Sequence, residues 1–222
     1  MAKYQRIVCQ GRLLIISYQI SFTEWINNMD REKILDRLKS KINEKRYVHS
    51  IGVEYTAACL AFVHGEDVEK ARLAGLLHDC AKGIPTKEKL EKAKKHGLSV
   101  NQFEISNPDL LHAKLGAYYA KVKYNVMDED VLNAIASHTT GRPDMSLLEK
   151  IIFVSDYIEP NRKPIYELDQ IRKEAFEDID QCVIHILRNT LNYLENSNAQ
   201  IDIMTQKTYD FYVTKNKGDE KA

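Results

Sequence analysis

Cysteine is scarce and scattered: the four residues Cys9, Cys59, Cys80 and Cys182 stand far apart, and no two form a C-x-x-C pair. That spacing argues against a zinc ribbon or a thioredoxin-like redox site. Three of the four lie in apolar helical surroundings and read as small core residues of a reduced, cytoplasmic protein. Net charge is missing as well. The 32 Lys+Arg offset the 32 Asp+Glu, so nothing supports a broad basic face for nucleic acid, although a local basic pocket for a small phosphorylated ligand stays open. Long apolar runs are absent too. The nearest, GRLLIISYQI at residues 11–20, is too short to span a bilayer. Tyr18 and Gln19 break it and no small-residue cleavage site follows, so it makes a poor signal peptide.

What remains is an ordinary globular composition, 44% hydrophobic and 29% charged over 222 residues. It suffices for one sizeable core, and no break in composition asks for two. Strong helical periodicity starts only at NNMDREKILDRLKSKI. Residues 1–28 therefore read as an atypical extension that need be neither native nor structured, with Met29 available as an alternative start. Residues 29–214 read as one domain and 215–222 as a polar tail.

Within that domain Ile34, Leu35, Leu38 and Ile42 recur at helical spacing, and a second helix carries Tyr47, Ile51 and Ala58 before Gly65 ends it. Asp67 is placed to cap DVEKARLAGLLHD, and Ser146 with Glu149 has the spacing of a capping box. Leu111, Leu115, Tyr118 and Val122 line one helical face, whereas the tail QIDIMTQKTYDFYV has no clean period. With no convincing set of alternating strands, the expectation is an all-α helical bundle.

Seven histidines punctuate these helices, and taken singly each is more readily structural or solvent-exposed than a ligand. Four lie in suggestive places: His49 in an apolar-flanked helix, His78 at an apolar helix end beside Asp79, His112 near a helix start, and His138 before TTG. Asp156 interrupts the apolar run IIFVSDYI. A carboxylate there needs a metal, a cation or a donor, since an unpaired one is costly to bury. Imidazole and carboxylate together suit Fe, Mn or Zn.

The ordered set His49, His78–Asp79 and Asp156 resembles the HD-domain metal-dependent phosphohydrolase superfamily. The likeness is closest to the bacterial YqeK family of symmetrical diadenosine tetraphosphate hydrolases. It is carried by KRYVHSIGVEYTAACLA (45–61), ARLAGLLHDCAKGIP (71–85), LLHAKLGAYYA (110–120) and AIASHTTGRPDMSLLEKIIFVSDYIEPNR (134–162), and it spans roughly residues 30–213.

The resemblance implies His49, His78, Asp79 and Asp156 as metal ligands, with His112 and His138 completing a second metal site or contacting phosphate. It implies a divalent or mixed-valence metal, iron first and manganese as the alternative, in a centre that can be binuclear. The implied reaction is attack of a metal-activated water on diadenosine tetraphosphate to give two ADP, with Asp79, His112, His138 and Lys82 as the catalytic groups and Asp79 bridging. Substrate contacts are expected from Arg46, Lys82, His112, His138, Thr139, Asp156 and Arg162, and Arg142 is weighed evenly between phosphate and solvent. Ile201 and Gln206 are expected near the adenine. Cys80 has no base to activate it and reads as packing. The resemblance admits a homodimer and involves no nucleic acid and no membrane. Competing readings are a phosphohydrolase for another nucleotide (a deoxynucleoside monophosphate or an alarmone), a non-catalytic nucleotide-binding module and, less favoured, an HD-like oxygenase.

Overall fold

The computed structural model describes the backbone of residues 5–9, 12–16 and 22–219 and the side chains of residues 31–216; the expectation for residues 1–28 lies partly outside those described. The chain divides into two compact units, residues 1–40 and 41–222. In the first, β1 (Gln5–Cys9) and β2 (Arg12–Ile16) pair antiparallel, with Gln5 opposite Ile16 and Cys9 opposite Arg12. The apolar RLLII, which the sequence did not mark as a strand, is β2; helix α1 (Phe22–Lys39) follows.

The second unit is wholly helical among the described residues. Helix α2 (Glu44–His64) begins at Asn43, whose side chain accepts from the Arg46 N–H, and ends at Gly65 in the left-handed region at φ 77°. Its inner stripe of Val53, Ala57, Leu60 and Ala61 is buried. Helix α3 (Val68–Leu77) starts at the expected cap, Asp67, and packs along α2. Gly75 permits the approach, because a Cβ there would stand 3.1 Å from the Glu54 backbone.

Helices α4 (Thr86–Lys95) and α5 (Gln102–Ser106) lead through a 3-10 turn at Pro108–Leu110 into α6 (Leu111–Tyr124). Helix α5, held by an Asn101–Glu104 capping box, was not anticipated. Neither was the inward face of α6. Leu111, Leu115 and Tyr119 are buried, while Val122 is exposed and Tyr118 only partly covered. The helix turns its small residues inward instead: a Cβ on Gly116 would stand 3.2 Å from the His78 carbonyl.

Helix α7 (Glu129–Ser137) is capped by Asp128, and α8 (Leu147–Ile158) opens with the expected Ser146–Glu149 capping box. Helix α8 is the centre of the unit, packing on α2, α3 and α7, with Ile151, Ile152, Phe153 and Val154 all buried. A helix apolar on every side belongs in such a position. Helices α9 (Leu168–Glu177) and α10 (Ile179–Asn196) close its far side.

The ambiguous tail is α11 (Ile203–Asp219), which continues through the expected domain edge at 214. It is helical because Thr208 and Tyr212 are buried, and the Tyr212 hydroxyl accepts from the Met145 N–H at 2.9 Å. That contact fixes the loop after α7, where Gly141 adopts φ 62° and a Cβ would collide with Thr208. Among the described residues no helix is long and apolar enough to cross a membrane.

Candidate metal centre

Five helix ends deliver six side chains to one place. His49 comes from the second turn of α2, and His78 and Asp79 from the turn that closes α3. His112 lies in the first turn of α6, His138 just beyond α7, and Asp156 in the last turn of α8. Their ligand atoms form three overlapping trios, His49–His78–Asp79, His78–His138–Asp156 and Asp79–His112–His138, each within 4.8 Å.

The imidazoles are locked from behind. His78 Nδ1 lies 2.7 Å from the Gly75 carbonyl, His112 Nδ1 2.6 Å from that of Asp109, and His138 Nδ1 2.7 Å from that of Ile135. Each carbonyl is three residues upstream and only accepts, so the proton sits on Nδ1 and Nε2 presents a lone pair. His49 Nδ1 meets the buried carboxylate of Glu159 at 3.0 Å. This backing of a histidine by a carbonyl or carboxylate is how metal-ligating imidazoles are oriented.

The Nε2 atoms then face one another. His112 Nε2 and His138 Nε2 are 3.1 Å apart, and His49 Nε2 and His78 Nε2 3.2 Å. The Thr139 hydroxyl lies 3.3 Å from His112 Nε2 and 3.2 Å from His138 Nε2, but its one hydrogen can serve only one of them. A cation satisfies both. Asp79 divides its oxygens between the two sides: Oδ1 lies 3.4 Å from His112 Nε2 and 3.7 Å from His138 Nε2, while Oδ2 lies 3.8 Å from His78 Nε2. Asp156 Oδ1 closes the second side, 3.0 Å from His49 Nε2 and 3.7 Å from His78 Nε2. The donor set therefore fits a divalent metal, and its mixture of nitrogen and oxygen suits Fe, Mn or Zn.

Electrostatics agree. Burial, the largest influence, depresses His78 to about 4 and His112 to about 3, His138 and Lys82 adding to the effect at His112, so both imidazoles are neutral at pH 7 and free to accept a cation at Nε2. Burial opposes ionisation of Asp79, yet His78, His138 and His112 hold its carboxyl well below the usual range. At Asp156 burial is likewise overcome, by His49, His78 and Arg162.

Basic groups stand at the edge. Arg46 donates to Asp79 Oδ2 at 2.6 Å, and Arg162 donates to the Asp156 carboxylate at 2.7 Å and to its carbonyl at 2.8 Å. Lys82 Nζ is 3.3 and 3.4 Å from the two nitrogens of His112, a position over the ring face, and 3.0 Å from Asp109. Arg142, by contrast, is committed to structure: its Nε and Nη2 fork onto buried Glu149, which also accepts from Ser137. Cys80 packs with its thiol toward the Gly116 carbonyl, and burial pushes its pKa up to about 12.

Ile201 lines a cleft of about 430 Å³ with Gln102, Phe103, Ser106 and Gln200. Gln206 is not among the lining residues; its amide donates to Asp210 within α11. Two residues that the sequence reading passed over support the site. Glu159 holds His49, and Asp109 holds Lys82 by its carboxylate and His112 by its carbonyl. The only signal for Glu159 was its place three residues after Asp156, one helical turn along.

The HD domain model matches residues 46–161, a span that takes in all six converging residues and Glu159. The symmetrical bis(5'-nucleosyl)-tetraphosphatase of Bacillus subtilis is 40% identical over 186 residues, 84% of this chain and 99% of the relative. That of Halalkalibacterium halodurans is 44% identical over 181 residues, covering 82% and 96%. A crystal structure from Clostridium acetobutylicum, described as a "predicted HD superfamily hydrolase involved in NAD metabolism", is 42% identical. It aligns with a TM-score of 0.81 over 83% of this chain and 97% of its own. By fold, converging residues and these likenesses, the chain belongs to the HD-domain family, in the branch that contains the symmetrical bis(5'-nucleosyl)-tetraphosphatases.

Proposed function

We propose that the protein hydrolyses diadenosine tetraphosphate symmetrically, adding one water across the central anhydride to give two ADP. The observation that carries this reading is the convergence of four backed imidazoles on two carboxylates, in a chain 40–44% identical to symmetrical tetraphosphatases over most of its length.

His49, His78, Asp79 and Asp156 would hold one ion, and Asp79, His112 and His138 a second, with iron proposed as the metal and manganese as the alternative. Bound metal supplies Lewis-acid polarisation of phosphate oxygens and a more acidic water. The chain's own residues do the rest. Asp79 ties the two sides together, one oxygen to each. Arg46 and Arg162, both partly exposed beside the ligand carboxylates, and Lys82 over His112 offset the charge of four phosphates. The leaving group is itself a phosphate anion, so charge neutralisation is the main demand on the site. The Thr139 hydroxyl is placed to donate to an oxygen between His112 and His138. Ile201, with Phe103 beside it, offers an apolar wall for a nucleobase. A protein nucleophile has no part, because the buried Cys80 thiol stays protonated.

A substrate panel tests the reading. Protein reconstituted with iron or manganese under reducing conditions should turn over diadenosine tetraphosphate in preference to deoxynucleoside monophosphates and guanosine polyphosphates. Preference for either of the other two classes would move it elsewhere in the HD family, and nucleotide binding without turnover would make it a binding module.

A further inference from the structure

Asp109 stands on the 3-10 turn between α5 and α6 and makes three short contacts, besides a long one of 3.5 Å from the Thr86 hydroxyl to Oδ1. Oδ1 accepts from Lys89 Nζ at 2.5 Å, Oδ2 pairs with Lys82 Nζ at 3.0 Å, and its carbonyl oxygen accepts from His112 Nδ1 at 2.6 Å. Lys89 is the unusual member. It lies on α4, an otherwise polar helix, yet it is fully buried, and its ammonium ends at Asp109. A lysine so desolvated is costly unless paired. Its burial also fixes where its charge can be.

The second cation has a consequence for the first. A carboxylate paired with Lys82 alone would neutralise the ammonium that phosphate requires. With Lys89 on the other oxygen, the cluster of two ammonium groups and one carboxylate keeps a net positive charge while Lys82 is restrained. A free lysine samples many rotamers; an anchored one is in place before the substrate arrives. Here it is held over the face of His112, next to the Nε2 that points into the centre.

We infer that Asp109, backed by buried Lys89, is a positioning residue that holds the Lys82 ammonium on the phosphate side of the His112–His138 half of the site. The inference rests on the phosphohydrolase reading above.

The test uses the metal-loaded full chain. Asp109→Asn should keep the metal content and helical circular dichroism of the wild type, because the backbone carbonyl still holds His112. Its kcat/KM should fall about tenfold. Lys82→Met should lose at least as much, and the double variant should be no worse than Lys82→Met to within about twofold, the non-additivity expected of residues acting as a unit. ADP affinity by calorimetry supplies a readout without turnover and should drop by the same factor in both single variants. Asp109→Glu should recover part of each loss. Should Asp109→Asn fail to fold around a stranded Lys89, Asp109→Asn/Lys89→Met removes both charges of that pair and takes its place in the comparison. Wild-type kcat/KM and ADP affinity in Asp109→Asn, or losses that multiply with Lys82→Met, overturn the inference. If the wild type does not cleave diadenosine tetraphosphate, the substrate reading falls, and the ADP comparison still decides the role of Asp109.

Discussion

On its Oδ2 side Asp79 is joined by a second carboxylate, Asp156, with His49, His78 and two guanidiniums in attendance. On its Oδ1 side stand His112 and His138, the Thr139 hydroxyl and the Lys82 ammonium, with the Asp109 carboxylate turned to Lys82 rather than to the imidazoles. Even with a guanidinium on each, two carboxylate donors should attract a dication more strongly than two neutral imidazoles beside an ammonium. The difference suggests a division of labour. On this reading the Oδ2 side would grip a metal, and the Oδ1 side would hold one loosely enough for phosphate oxygens to share the coordination.

Removing the shared residue should have the largest effect. Asp79→Ala should lower turnover about a thousandfold or more and release metal from both sides, while circular dichroism shows the helices intact. Next come the variants that separate the sides. Asp156→Asn should lose the tightly held ion on dialysis, with a fall in kcat of about a hundredfold, whereas His138→Ala should keep that ion and lose only the weaker one, as counted by elemental analysis. Equal retention in the two variants would erase the proposed asymmetry. Glu159→Gln, which weakens the hold on His49 without touching a ligand atom, should cost about ten- to a hundredfold in metal affinity on the Oδ2 side.

Acid should act unequally as well. Burial opposes the charge of His49, but Asp156 and Glu159 outweigh it and raise its pKa above 6.5, so an incoming cation must displace a proton. Affinity on the Oδ2 side should therefore fall as pH drops through that raised value. His112, at about 3, has no proton to lose at the same pH. Metal titrations at mildly acidic and neutral pH would show it. The smallest effect belongs to Cys80→Ala, which should leave turnover within about twofold and cost about 1 kcal/mol of stability by chemical denaturation, the scale of a small buried cavity.

The converging histidines and aspartates were legible in the sequence because these residue types are conspicuous in apolar helices, and because their order along the chain is distinctive. Asp67, Ser146 and Glu149 were legible as caps for a related reason: capping depends on local spacing alone. What failed depended on contacts between distant segments. Lys89 looks like its neighbours in TKEKLEKAKK until Asp109 is brought to it, and Glu159 looks like an ordinary helix end until His49 is. The tail gave no apolar period because its buried stripe is largely polar: Asp202, Thr205 and Thr208 share it with Tyr212. Arg142 had the look of a phosphate ligand, but the capping-box residue Glu149, already recognised, turned out to be its partner. Gln206, grouped with Ile201 by proximity in sequence, donates its amide to Asp210 one turn along α11.

The most direct test of the account is product-resolved hydrolysis of diadenosine tetraphosphate by the wild-type chain after reconstitution with iron or manganese. Two ADP per substrate, abolished by Asp79→Ala, is the predicted result. Release of AMP and ATP, or full activity in Asp79→Ala, would contradict it.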